Sequence, residues 1–245
     1  MNATLRNFAA AGYGRNSRRE GFSLVELMTV IGVIAVLSSV ALMSLAGLTG
    51  SRNLNKAAYD IQGVLEQART TAMASDTYTW VGFFEESPGK PGVAGVGQVV
   101  ISVVSSADGT NVYGTLSGLT MMPGSSLTQV AKLTKIPNVH LASLPAGSVT
   151  RPTVPAVTYQ VASGSFANTY SFGYPVSATS APTYTFTNII QFNPQGDATR
   201  IADTPTQFME IGLQPAHGST AVTTSKDVAA VQIAGIGGHV TTYFP

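Results

Sequence analysis

The chain has 245 residues, of which 44% are hydrophobic, only 10% are charged and none is cysteine. An ordinary globular domain carries roughly 25% charged residues, so Ser, Thr, Gly, Asn and Gln must supply most of the polar surface. The length suits one domain, or one domain with an appendage. The lack of cysteine excludes disulfides, thiolate metal sites and a cysteine nucleophile, and a net charge of +1 lacks the basic footprint of a nucleic-acid binder.

The first 20 residues hold Arg6, Arg15, Arg18 and Arg19 against Glu20. A basic leader ahead of an apolar run marks a targeting segment. From Leu27 to Ser51 there are 25 residues without a charge. As a helix this run would be about 37 Å long, enough to cross a hydrocarbon core of roughly 30 Å. It holds no proline, and Gly32 is its only glycine before Gly47. The arginines ahead of the span, against Arg52 and Lys56 behind it, leave the N-terminus in the cytoplasm and export the rest. Glu26 lies at the start of this stretch. A carboxylate at mid-bilayer costs roughly 2.5 to 3.5 kcal/mol, less near an interface, and marks a functional site.

The run Arg18-Arg19-Glu20-Gly21-Phe22-Ser23-Leu24-Val25-Glu26-Leu27 resembles the signal of type IV prepilins and pseudopilins. The resemblance implies that a membrane-embedded prepilin peptidase cuts after Gly21 and methylates the new N-terminus at Phe22. It also implies that Glu26 serves in filament assembly. Cutting there leaves an ammonium one helical turn from Glu26, so the two can neutralise each other within a subunit; the family model pairs the glutamate with a neighbour's amine instead. Either way the carboxylate keeps a counter-charge, which makes Glu26 a registration device and not a catalytic base. A competing cut after Ser44-Leu45-Ala46 by ordinary signal peptidase would start the product at Gly47 and leave Glu26 without purpose. Many pilins carry a proline near the twenty-second mature residue; here that position is Met43.

Past the span, Leu54, Ala57, Ala58, Ile61, Val64, Leu65, Ala68 and Ala72 recur at three- and four-residue steps. Arg52, Lys56, Gln62, Glu66, Arg69 and Thr70 take the other side, with Glu66 and Arg69 spaced for an i,i+3 pair. The alanine-rich stripe suits close packing against a sheet of the same chain, or a partner. The pattern fades at Asp76.

Beyond Asp76, β-branched and aromatic runs punctuated by Gly, Pro, Asn and Ser predict strands at 78–84, 97–105, 128–134, 138–142, 156–162, 184–192, 206–213, 228–234 and 239–244. Loops are expected at 85–95 and 163–183. In Phe192-Asn193-Pro194-Gln195-Gly196 the order Asn, Pro, x, Gly suits a type I turn. This segment, with Leu144-Pro145-Ala146-Gly147 and the Val231-Gln232-Ile233 run leading through Gly235 to Val240, resembles the C-terminal domain of GspH/FimT-type minor pseudopilins. In that family the last hairpin often carries Gly-Arg; here His239 follows the glycine, which disfavours DNA uptake.

His140, His217 and His239 have no metal-ligand spacing. Asn193, Gln195 and Asp197 offer oxygens for calcium, but with one carboxylate a turn is the better reading. Gly235-Ile236-Gly237-Gly238 opens no helix that would bind an anion, and no nucleophile motif or paired carboxylates suggest an enzyme. No cofactor or metal is implied.

The expected fold is therefore α+β: a leader (1–21), a long N-terminal helix (22–75) and an exported β-rich domain (76–245). The helix is transmembrane over 22–51 and amphipathic over 52–75, and it packs on an antiparallel sheet. The expected function is that of a structural subunit, a minor pilin or pseudopilin of a type II secretion system or type IV pilus-like filament. Its partners would be prepilin peptidase, other pilin subunits and inner-membrane lipid. The alternative is a filament-tip or membrane-anchored binding module, motivated by the long, weakly charged Ser/Thr/Tyr loops.

Overall fold

The structure is a computed structural model that describes residues 23–115, 121–151, 159–162, 166, 170–177, 179–200 and 207–245, with backbone only for 40–52 and 114–115. The chain divides into two units, Met1–Leu45 and Ala46–Pro245. Helix α1 (Leu24–Ala74) begins in the first and ends in the second. Its backbone is helical through Met43 and Gly47.

The helix stops where the sequence pattern fades. Asp76 turns into the left-handed region at φ 49°, and the Thr77 N–H donates to the Ala72 carbonyl at 3.0 Å. This is the six-to-one bond of a Schellman motif, with aspartate in the place usually held by glycine.

In the second unit the apolar stripe of α1 faces its own domain. Leu54, Ala57, Ala58, Ile61, Leu65, Ala68 and Ala72 are all at most 2% exposed, so of the two expectations for this stripe, the partner-binding one is overturned. Small side chains let the sheet approach closely.

That sheet is built from β1 (Thr79–Glu86), β2 (Gly97–Ser106), β3 (Leu127–Gln129), β4 (Thr134–Ala142), β5 (Tyr159–Gln160), β8 (Asn188–Phe192), β9 (Ala198–Arg200), β10 (Phe208–His217), β11 (Thr220–Ala221), β12 (Ala229–Ala234) and β13 (Val240–Tyr243). The main order is β13-β12-β10-β4-β2-β1-β8-β9, with β3 beside β2 and β11 and β5 beside β10. All pairings are antiparallel except the short β5–β10 contact. The sheet curls back on itself: the Ala198 N–H at the β9 edge donates to Gly235, in the β12–β13 connection, at 2.7 Å.

Both faces of the central strands are covered, which explains why β2 is buried nearly throughout instead of at alternate residues. Val99, Ile101 and Val103 face α1, while Val100 and Val104 join a second core with Trp80, Phe172, Tyr184, Phe186 and Ile189. A separate hairpin, β6 (Phe172–Tyr174) with β7 (Tyr184–Phe186), closes that second core. Gly82 on β1 is required there, since a Cβ would lie 2.6 Å from that of Phe186. A short helix, α2 (Val112–Thr115), adds Val112 and Tyr113.

Several sequence expectations need correction. The run 128–134 is not one strand: β3 ends at Gln129 and β4 begins at Thr134, because the Gln129 amide turns back onto the Val103 and Ala131 carbonyls. The run 184–192 is two strands in different sheets, split at Thr187. The interval 163–183 contains β6, and β9 and β11 had no counterpart. Of 156–162, residues 156–158 lie outside the described residues, and 159–160 form β5.

Candidate functional site

The start of α1 is set by Ser23 and Glu26. Ser23 is the last non-helical residue, and its carbonyl accepts the Leu27 N–H at 3.1 Å. The Glu26 carboxylate reaches back and accepts the Ser23 N–H at 3.3 Å. That is the glutamate half of a capping box, and it places negative charge at the positive end of the helix dipole. Gly21 and Phe22, the expected cleavage and methylation residues, lie outside the described residues.

From Ser23 to Ser39 every side chain is exposed. Ile34 (55%) and Leu37 (64%) lie among eight other large apolar residues of this stretch in that state. The few hydroxyls are internally satisfied: Thr29 donates to the Val25 carbonyl at 2.6 Å and Ser39 to that of Val36 at 2.7 Å. A helix that is apolar all round belongs in a protein core or a membrane, not in water. The membrane crossing expected for 22–51 is not itself shown: among the described residues no helix is long and apolar enough to cross a membrane.

In the second unit, the Asn193–Asp197 turn is a brace. The Asp197 N–H donates to Asn193 Oδ1 at 2.8 Å. Asn193 Nδ2 donates to Asp197 Oδ2 at 3.3 Å, and the Gly237 N–H to Asp197 Oδ1 at 2.7 Å. Both carboxylate oxygens therefore receive N–H donors, which is the wrong complement for calcium, and the turn reading of this segment stands. The turn and the Gly235–Gly238 segment approach so closely that a Cβ on Gly238 would lie 2.2 Å from the Gly196 carbonyl oxygen.

The three histidines do not converge: His140 is on β4, His217 ends β10 and His239 precedes β13. His140 instead meets Glu85 at 2.8 Å, a contact sequence reasoning missed because its partners are 55 residues apart. Two further ion pairs were also missed, Lys135–Glu86 at 2.8 Å and Arg151–Glu210 at 2.9 Å. The second is almost fully buried, with side chains 1% and 0% exposed. Burial pushes the Glu210 carboxyl above the usual carboxylate range, against the opposing pull of Arg151. Among the described residues no group of three His, Asp or Glu is placed to hold a metal ion.

Among the described residues of 163–183, one of the loops that motivated a binding module, several are taken up by packing. Strand β6 and its flank supply Tyr170, Phe172, Tyr174 and Val176 to the second core.

Residues 16–42 match a family model described as the prokaryotic N-terminal methylation motif. This supports the prepilin/pseudopilin family, implies processing by prepilin peptidase and assembly with other pilin subunits, and points to a structural subunit rather than an enzyme. No curated protein and no solved structure matches the chain.

Proposed function

We propose that this chain is a minor pilin or pseudopilin of a type II secretion system or type IV pilus-like filament. It is held in the inner membrane by residues 22–51, with the N-terminus in the cytoplasm, until it is assembled. Prepilin peptidase cuts between Gly21 and Phe22, Phe22 is N-methylated, and Glu26 sets subunit register. The observation that carries this reading is the methylation motif over residues 16–42 running into a helix that is apolar all round and headed by one carboxylate. The β-rich domain, which resembles GspH/FimT-type subunits in its C-terminal motifs, faces outward from the helical filament core.

The physical basis is the cost of a buried charge. A helix shedding water for lipid or for neighbouring helices strands Glu26 unless a cation meets it. The freed amine at Phe22, its own or a neighbour's, is such a cation, and a subunit docked out of register loses it. The N-terminal peptide of the native protein tests the reading: it should begin at methylated Phe22. An uncut leader, or a start at Gly47, would sink it.

A further inference from the structure

We propose that the cleft at the C-terminal end of α1 is a calcium site, with Asp76 and Asp108 as its carboxylates and Ser105 as its buried hydroxyl ligand. Its chemistry is independent of how the helix is anchored.

The cleft is open, about 470 Å³ in volume, and its wall includes Ser75, Asp76, Ser105, Asp108 and Thr128. Every polar side chain lining it ends in oxygen, and no Lys, Arg or His takes part. Hard cations are held by such oxygen sets. Gly109, at φ 80°, brings the loop that carries Asp108 against the helix end: a Cβ there would lie 3.5 Å from the Asp76 carbonyl oxygen.

The charge around this cleft is unbalanced. The C-terminal end of a helix is the negative pole of its dipole and favours Lys or Arg. The last turn of α1 holds no basic residue, and Asp76 follows instead. Arg69, farther back on the helix, is paired with Glu66 at 3.4 Å. Asp108 adds a second carboxylate. Its Oδ1 accepts the Ser106 hydroxyl at 2.9 Å, the Thr110 N–H at 3.0 Å and the Thr110 hydroxyl at 2.8 Å. These bonds hold it ionised and leave Oδ2 to a cation.

Ser105 points to a ligand independently of the carboxylates. It is 8% exposed and lines the cleft, yet among the described residues its hydroxyl has no hydrogen-bond partner. Directly across the β1–β2 ladder, Thr79 is fully buried and its Oγ1 also lacks one. Buried hydroxyls ordinarily find partners, and an ion in the cleft supplies one to Ser105. Two carboxylates balance a doubly charged ion, while hydroxyls and water fill the rest of its shell. Magnesium demands a near-ideal octahedron and gives up water reluctantly, so this irregular oxygen row suits calcium.

Full-length protein should take up radiolabelled calcium in equilibrium dialysis with a Kd of about 10⁻⁴ to 10⁻³ M, the range of weakly charged, open sites. Asp76→Asn and Asp108→Asn should each weaken uptake about tenfold, since affinity follows ligand charge. Ser105→Ala should weaken it about threefold by removing one ligand. Asp227→Asn, exposed elsewhere on the domain, should leave it unchanged. Asparagine tolerates the left-handed φ at position 76 and keeps the Oδ1 acceptor at 108. Calcium should also raise the urea midpoint of the wild type, read from Trp80 fluorescence, and not that of the two Asn variants. Uptake that is equal in the wild type and both Asn variants would overturn the proposal. So would a midpoint that sodium chloride raises as far at equal ionic strength. If an Asn variant fails to fold, unchanged uptake by Ser105→Ala overturns it alone.

Discussion

Glu26 combines two roles that can be separated by substitution. It accepts its own Ser23 N–H, which any acceptor of the same length can do, and in the proposed filament it supplies a charge, which an amide cannot. Glu26→Gln and Glu26→Ala should therefore both lose subunit incorporation with membrane fractionation unchanged, and Glu26→Gln should in addition keep the helix start. Filament incorporation of Glu26→Gln at wild-type levels would remove charge pairing from the account. Arg151 and Glu210 present the opposite case, a charge pair already enclosed. Among the described residues Arg151 Nε has no hydrogen-bond partner, so the pair is incompletely satisfied there. Removing one member of such a pair typically costs about 3 to 5 kcal/mol, whereas replacing both with apolar groups is often neutral or stabilising. Arg151→Met should be strongly destabilising and the Arg151→Met/Glu210→Met double substitution close to wild type. Trp80, the single tryptophan, is buried and bonded through Nε1 to Gln191 at 2.9 Å, and its fluorescence during urea unfolding is the readout.

Among the elements, α1 was legible in sequence because its information is local. The charge-free run, the three- and four-residue stripe and the fade at Asp76 each lie within a few turns. The long strands β2, β10 and β12 were legible for the same reason. The missed strands are those whose pairing depends on distant chain: β6 is three residues between the Ser171–Met121 bridge and Pro175, and β9 is three residues held by β8 and the Asp197 brace. Thr187 splits one apolar run between two sheets, a choice made by which core each half enters. The ion pairs escaped for a related reason, since residue spacing says nothing about contacts that the sheet order creates. The Asn193–Asp197 turn was legible as a turn but not as the fastener of a curled sheet. That role predicts a specific weakness at Gly238, whose φ is 58° and whose Cβ position is filled by the Gly196 carbonyl oxygen. Gly238→Ala should lower stability by about 1 kcal/mol or more from backbone strain alone, while Gly147→Ala (also at positive φ, but in open space) should pay only the strain. A Gly238 penalty no larger than that at Gly147 would mean the sheet ends are not fastened there.

At the scale of the whole molecule, low charge makes acid sensitivity depend on few groups. Asp108 is held below its usual 3.8 by hydrogen bonds from the Thr110 backbone and hydroxyl and from Ser106. Its stabilisation is present above that usual value and is lost only as pH falls through its lowered one. Glu210 acts in the opposite direction. Its folded carboxyl is raised above the ordinary 4.5, so between those two values the native state binds a proton that the unfolded chain does not. Stability then rises as pH falls through that window. The urea midpoint read from Trp80 should therefore increase modestly as pH is lowered from neutral toward 4.5, and Glu210→Gln should flatten that rise. Arg151→Met couples to the same proton: without the guanidinium the carboxyl is easier to neutralise, so the penalty of Arg151→Met should shrink on acidification. A midpoint that falls steadily over the same range in the wild type and not in Glu210→Gln would show that Arg151 keeps the carboxylate ionised, with pairing outweighing desolvation at this buried site.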